Sequence, residues 1–192
     1  MTGFALHLLR HGTPFRPGLL LGQTDQPALD PACPSLLRRV QALQVERIMA
    51  SDLERCRASA QVMAETFSLP LSTDCRWREL NFGEWEGLAP TEVPQKVLGS
   101  FWADPDANPP PRGERWSDLR KRVGEAIDEL SGDTLVVTHA GAMRAALSVL
   151  TGLDHRGVWA LDLPYGALLT LRVWPGEPAT GQVAGLQTED LA

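Results

Sequence analysis

Residues 8–13 read Leu8-Leu9-Arg10-His11-Gly12-Thr13, an apolar run that delivers an arginine, a histidine and a glycine to the point where a strand ends. In open α/β sheets that edge carries the chemistry. An imidazole beside a guanidinium can attack a phosphoryl group that the cation holds, and a glycine removes the Cβ that would keep a phosphate from backbone N–H groups. Alone, the triplet also fits a strand end with a snorkelling arginine and a surface histidine, the commoner use of these residues. The surrounding chain decides between the two.

Outward from that point, short apolar runs alternate with helical periodicity. The pattern predicts an α/β fold, a three-layer αβα sandwich whose mainly parallel sheet carries helices on both faces. Residues 4–9 read as a buried strand, after which Asp30-Pro31 supplies an N-cap and a first-turn proline for a helix with Leu36, Leu37, Val40 and Leu43 on one face. Residues 46–50 form a second strand, and 51–57 run into a helix with Cys56, Ala60, Met63 and Phe67 in register. Trp116, Leu119, Val123, Ile127 and Leu130 recur every three or four residues, Gly132 stops that helix, and residues 134–138 follow as a β-branched central strand. His139-Ala140-Gly141 opens another helix ending near Gly152, and residues 167–174 alternate as a strand paired with 182–186.

A chain of 192 residues, 43% hydrophobic and 22% charged, suits a single domain over residues 1–192. Its net charge of -6 argues against nucleic acid or anionic lipid as a partner, while leaving room for a local basic pocket. With no basic region before Phe4 and no apolar run near the ~20 residues a bilayer requires, the expectation is a cytoplasmic protein without a membrane partner. Nothing in the sequence sets an oligomeric state. Cys33, Cys56 and Cys75 are odd in number and form no C-x-x-C pair, so they are expected as reduced, buried packing residues.

Residues 80–115 break the rhythm with Gly83, Gly87, Gly99, Asp104-Pro105-Asp106 and Asn108-Pro109-Pro110-Pro111, and predict a rigid, irregular insertion over the site. Trp77, Trp85, Trp102 and Trp116 lie in or beside it, either as an aromatic wall or as plain anchors of an irregular loop.

The chemical groups share a position. Arg10 and His11 follow the first strand, Arg55 follows the second by one turn, and His139 follows the central strand at a helix start. Parallel strands end at one edge, so these residues should converge, and the helix opening at Ala140 adds N–H groups and a positive dipole end suited to a phosphoryl oxygen. Each has a plain alternative: His139 as a satisfied strand-end histidine, Arg55 paired with Glu54 or Asp52, Glu79 as a solvated carboxylate. Three coincidences at one edge favour a site.

Four motifs then appear in order: Leu8-Leu9-Arg10-His11-Gly12, Ser51-Asp52-Leu53-Glu54-Arg55-Cys56, Glu79-Leu80-Asn81-Phe82-Gly83-Glu84-Trp85-Glu86-Gly87 and Val136-Val137-Thr138-His139-Ala140-Gly141. In this the chain resembles the histidine phosphatase superfamily, the phosphoglycerate mutase-like group, over nearly its whole length. The resemblance implies a phosphohistidine mechanism with His11 as nucleophile, Arg10, Arg55 and His139 holding the phosphoryl oxygens, and Glu79 as general acid and then base. It implies no metal and no cofactor, and a small phosphorylated metabolite as substrate. Residues 22–27, 101–105 and 109–114 resemble those of α-ribazole phosphatases, which makes α-ribazole 5'-phosphate the candidate substrate, with a broad small-molecule phosphatase as the alternative. A mutase ranks below both, because the segment that shields the phosphoenzyme in the cofactor-dependent mutases is short here. A silent phospho-ligand binding module would need the cationic clamp but not Glu79.

The chain departs from the family pattern at Thr13 and Pro17, where many members carry a glutamate and an asparagine. Gln23 and Thr24 are the expected substitutes for the lost substrate contact. Arg115 stands where a serine is usual after Gly-Glu, which predicts a more cationic pocket mouth.

Overall fold

The computed structural model describes residues 3–188, so both ends of the expected 1–192 domain lie outside the described residues. Six strands, β1 (Phe4–Arg10), β2 (Arg47–Ala50), β3 (Leu71–Thr73), β4 (Thr134–Thr138), β5 (Leu168–Trp174) and β6 (Thr180–Gln187), form one sheet in the order β3-β2-β4-β1-β5-β6. The wholly buried β4 lies between β1 and β2 and parallel to both, with Val136 opposite Leu8 on one side and Met49 on the other. β3 continues the parallel part, whereas β5 and β6 run antiparallel, so the sheet is mixed. The short link at 175–179 permits a hairpin there, while parallel neighbours need the longer helical crossovers found elsewhere in the chain.

The helices are α1 (Pro34–Gln41), α2 (Glu54–Phe67), α3 (Gln95–Ala103), α4 (Trp116–Asp128), α5 (Ala140–Thr151) and α6 (His155–Trp159). Strand alternation divides the core between two faces. Leu6, Leu8 and Val136 pack with Leu119, Val123, Met143 and Leu147 of α4 and α5. Leu9, Leu135 and Val137 pack with Leu36, Val40, Cys56, Ala60 and Met63 of α1 and α2. The result is the expected αβα sandwich, each fully buried Leu, Val or Met side chain contributing roughly 1.5–3 kcal/mol by leaving water.

Several local expectations are corrected. α1 starts at Pro34 and not at Asp30-Pro31, because the Asp30 carboxylate accepts from the Ala32 N–H and the Leu29 N–H donates to the Thr13 carbonyl, which ties this segment into a turn. α4 ends at Asp128, and Gly132 is no helix stop: a Cβ there would meet the Glu46 carboxylate at 2.5 Å. The 80–115 insertion is less irregular than expected, since it contains α3. Of the cysteines only Cys56 is buried; Cys33 is half-buried and Cys75 exposed, and all three are free thiols.

Candidate active site

Arg10 of β1 pairs in register with Thr138 of β4, so the residues leaving these strands, His11 and His139, meet at one edge. Their ring centroids lie 5.1 Å apart at an interplanar angle of 64°. The His11 N–H donates to the Thr138 carbonyl and the Arg10 N–H to the Ala167 carbonyl, fixing the backbone on both sides. Only 4% of His11 and none of His139 is exposed. Burial, then the Arg55 and Arg10 charges, push the His11 imidazole well below its ordinary range, against a smaller opposing effect of the Gly12 carbonyl. Burial first, with Arg55 and His11 following, does the same to His139. Both rings are therefore neutral near pH 7. His11 Nδ1 lies 2.7 Å from the Gly12 carbonyl, which can only accept, so Nδ1 carries the hydrogen and Nε2 the lone pair. His139 Nε2 lies 3.0 Å from the Ser51 hydroxyl, beside the buried Cys56.

Two guanidiniums flank the rings. Arg55, 1% exposed at the start of α2, donates to the carbonyls of Leu21, Gly22 and Thr24, so it is buried in the site and not paired with Glu54 or Asp52. Arg10 donates to the Leu163 carbonyl at 2.5 Å and its Cζ lies 4.0 Å from the centre of the Tyr165 ring. Burial is the main influence on Arg10 and lowers its pKa. The Nε atoms of Arg10 and Arg55 are buried and have no hydrogen-bond partner among the described residues, donor capacity that suits an anion.

Glu79 reaches the same cavity, whose lining includes Arg10, His11, Arg55, Glu79, His139 and Ala140. Its carboxylate accepts from the Leu80 N–H at 2.8 Å and from the Gly141 N–H at 3.0 Å. The first turn of α5 thus spends one of its free N–H groups on the acid. Arg122 donates to the carbonyls of Arg76, Arg78 and Glu79 and pairs with Glu114, which holds the segment carrying Glu79 in place.

Residues 6–184 match the family model described as histidine phosphatase superfamily (branch 1). The chain belongs to the histidine phosphatase superfamily. It is 31% identical over 166 residues to a Yersinia pestis protein assigned as phosphoglycerate mutase GpmB, covering 77% of this chain and 75% of that one. A mycobacterial glucosyl-3-phosphoglycerate phosphatase shares its fold at a TM-score of 0.83 and 22% identity, covering 95% of this chain and 97% of the other. So does an Escherichia coli K-12 protein described as a candidate α-ribazole-5'-P phosphatase, at a TM-score of 0.81 and 20% identity over 100% and 99% of the two chains.

In this member of the superfamily the cavity runs from the two histidines to a wall of Phe101, Trp102, Trp116 and Trp159. Trp102 and Trp116 thus line the cavity, Trp116 from within the core that also buries Trp77 and Trp85. Gln23 and Thr24 do not line the cavity. The N–H groups of both and the Thr24 hydroxyl donate to Glu86, and their neighbours Leu21 and Gly22 form the lining instead. Pro17 is exposed and outside the lining. Arg115 is also outside it, turned to the Asp106 carbonyl; as the N-cap residue of α4 it lacks a capping side chain, and the Asp106 carboxylate accepts from the Ser117 N–H in its place.

Among the lining residues that the sequence does not single out are Arg144, Trp159 and Tyr165. Two carried a signal: Tyr165 is the one tyrosine of the chain, and Arg144 is the single charge on the apolar α5. Among the described residues no group of three or more His, Cys, Asp or Glu side chains could hold a metal ion, and no helix is long and apolar enough to cross a membrane.

Proposed function

We propose that this chain is a phosphomonoesterase that works through a phosphohistidine at His11 and needs no metal. The observation that carries this reading is a pair of buried, neutral imidazoles 5.1 Å apart, one with its Nδ1 committed to a carbonyl and its Nε2 free beside two guanidiniums. The His11 Nε2 lone pair forms the bond to phosphorus as the bond to the alcohol oxygen breaks, and a protonated Glu79 gives its proton to the departing alkoxide. Arg10, Arg55, His139 and the Ala140 end of α5 hold the non-bridging oxygens while charge shifts among them. Water then attacks phosphorus, Glu79 takes its proton, and the bond to Nε2 breaks to release inorganic phosphate.

The substrate is a small phosphorylated metabolite, with α-ribazole 5'-phosphate as the candidate. Its flat benzimidazole suits the wall of Trp102, Trp116 and Trp159, where edge-to-face ring contacts are available. The free thiols suit a reducing, cytoplasmic setting. Mixing the protein with ³²P-labelled ester and quenching within one turnover should trap acid-labile label on His11. EDTA should leave turnover intact, and α-ribazole 5'-phosphate should outrank a panel of common phosphoesters in kcat/KM. A flat ranking leaves the broad-specificity reading, transfer of the label to 3-phosphoglycerate in preference to water marks a mutase, and activity lost to EDTA and restored by a divalent ion overturns the mechanism.

A further inference from the structure

Arg144 is the one charged residue of α5, on a helix whose other residues are nearly all buried and apolar. A guanidinium in such a place costs stability unless it is paired or used. Its pairing within the fold is thin. Nη2 donates to the Leu161 carbonyl at a long 3.2 Å, Cζ lies 5.3 Å from the Trp159 ring centre, and the buried Nε has no hydrogen-bond partner among the described residues. No salt bridge reaches it among the described residues; Glu79 and Asp162 act on it only as charges nearby, opposed by Arg10. Yet Arg144 lines the same cavity as His11 and Glu79, and by its contact with Trp159 it stands where the phosphate end gives way to the aromatic wall. Arg10 and Arg55 already supply the cations that a phosphoryl dianion requires, so a third guanidinium exceeds the needs of the reacting group.

We propose that Arg144 is a specificity-determining residue that binds a pair of acceptor oxygens on the leaving alcohol, between the ester oxygen and the group that rests on the aromatic wall. This deepens the phosphatase reading and rests on it. A planar guanidinium grips two adjacent oxygens with parallel N–H donors, and either a carboxylate or the vicinal hydroxyls of a sugar present such a pair.

The test compares wild type with Arg144→Met and Arg144→Lys on three esters: O-phosphoserine, which carries a carboxylate, ribose 5-phosphate, which carries vicinal hydroxyls, and phenyl phosphate, which carries neither. The readout is the ratio of kcat/KM for each oxygen-bearing ester to that for phenyl phosphate. Arg144→Met should lower one of these ratios by about tenfold or more, chiefly through KM, the loss expected on removing a charge-assisted hydrogen-bond pair. Lysine should restore much of it if the oxygens are a carboxylate and little if they are hydroxyls. Both ratios staying within about twofold of wild type, or all three esters falling together through kcat, would place Arg144 in the scaffold or the phosphate clamp and overturn the proposal. Calorimetric binding of the same esters to the His11→Ala protein, with and without Arg144→Met, reads the same selectivity without turnover. Wild type that hydrolyses neither these esters nor α-ribazole 5'-phosphate sinks the phosphatase reading, and the binding ratios then still decide the role of Arg144.

Discussion

His11 Nδ1 lies 2.7 Å from the carbonyl oxygen of Gly12, the next residue in the chain, so one peptide unit sets the tautomer of the proposed nucleophile. With burial and two guanidiniums holding that ring neutral well below its ordinary range, protonation near pH 6.5 does not switch it off. Rapid-quench labelling should therefore yield phosphoenzyme at undiminished amplitude from pH 7.5 down to below pH 6. A loss of amplitude centred on pH 6.5 would contradict the buried, neutral ring. His11→Ala should lower kcat by at least about a thousandfold at every pH.

The same shifts make stability depend on pH. His7, His11 and His139 all have folded-state pKa values lowered mainly by burial. In the unfolded chain they take up protons near pH 6.5, whereas in the fold they stay neutral until the solution is more acid. Stability is accordingly full above pH 6.5 and declines as the pH falls below it, by up to about 1.4 kcal/mol per pH unit for each histidine. Urea unfolding at pH 7.5 and 5.5 measures the decline. His7→Gln, which removes a buried imidazole bonded to the Thr170 hydroxyl and outside the cavity, should make the slope shallower without affecting the labelling of His11.

What the sequence makes legible follows from range of interaction. The pairing of Arg10-His11 with His139 was readable because parallel strands must end at one edge, whatever the loops do. The start of α1 was not, because it depends on the Leu29 N–H reaching the Thr13 carbonyl, a contact no local pattern encodes. Sequence position alone puts Gln23 and Thr24 near the substrate. The Glu86 carboxylate, more than sixty residues away, draws in their N–H groups and turns the Gly22 side of that loop to the cavity.

Gly141 sits against Glu79 closely enough that a Cβ added there would collide with Oε1, the more so because its own N–H donates to Oε2. Alanine at this position favours the helix by about 0.5–1 kcal/mol and displaces the carboxyl group. Gly141→Ala should thus keep or raise the melting temperature while lowering kcat on alkyl phosphates by about 10²-fold or more, the scale of a lost general acid. p-Nitrophenyl phosphate, whose leaving group departs without a proton, should lose far less. Glu79→Gln should reproduce the pattern, and equal losses on both kinds of ester would remove Glu79 from proton transfer.

Tyr165 lines the site beside His11 and Arg10. Its ring lies 5.5 Å from the His11 ring and 4.0 Å from the Arg10 Cζ, while among the described residues the only hydrogen bond from the Arg10 guanidinium runs to the Leu163 carbonyl. A guanidinium over an aromatic face gains about 0.5–2 kcal/mol and, held on one side by a carbonyl and on the other by a ring, keeps its remaining donors aimed at phosphate. Phenylalanine preserves that face and leucine does not. Tyr165→Phe should remain within about threefold of wild type in kcat/KM, whereas Tyr165→Leu should fall by about tenfold or more and bind vanadate correspondingly less well. The vanadate measurement carries the argument, because a ring that served only to fill space would change stability in both variants and leave transition-state binding intact.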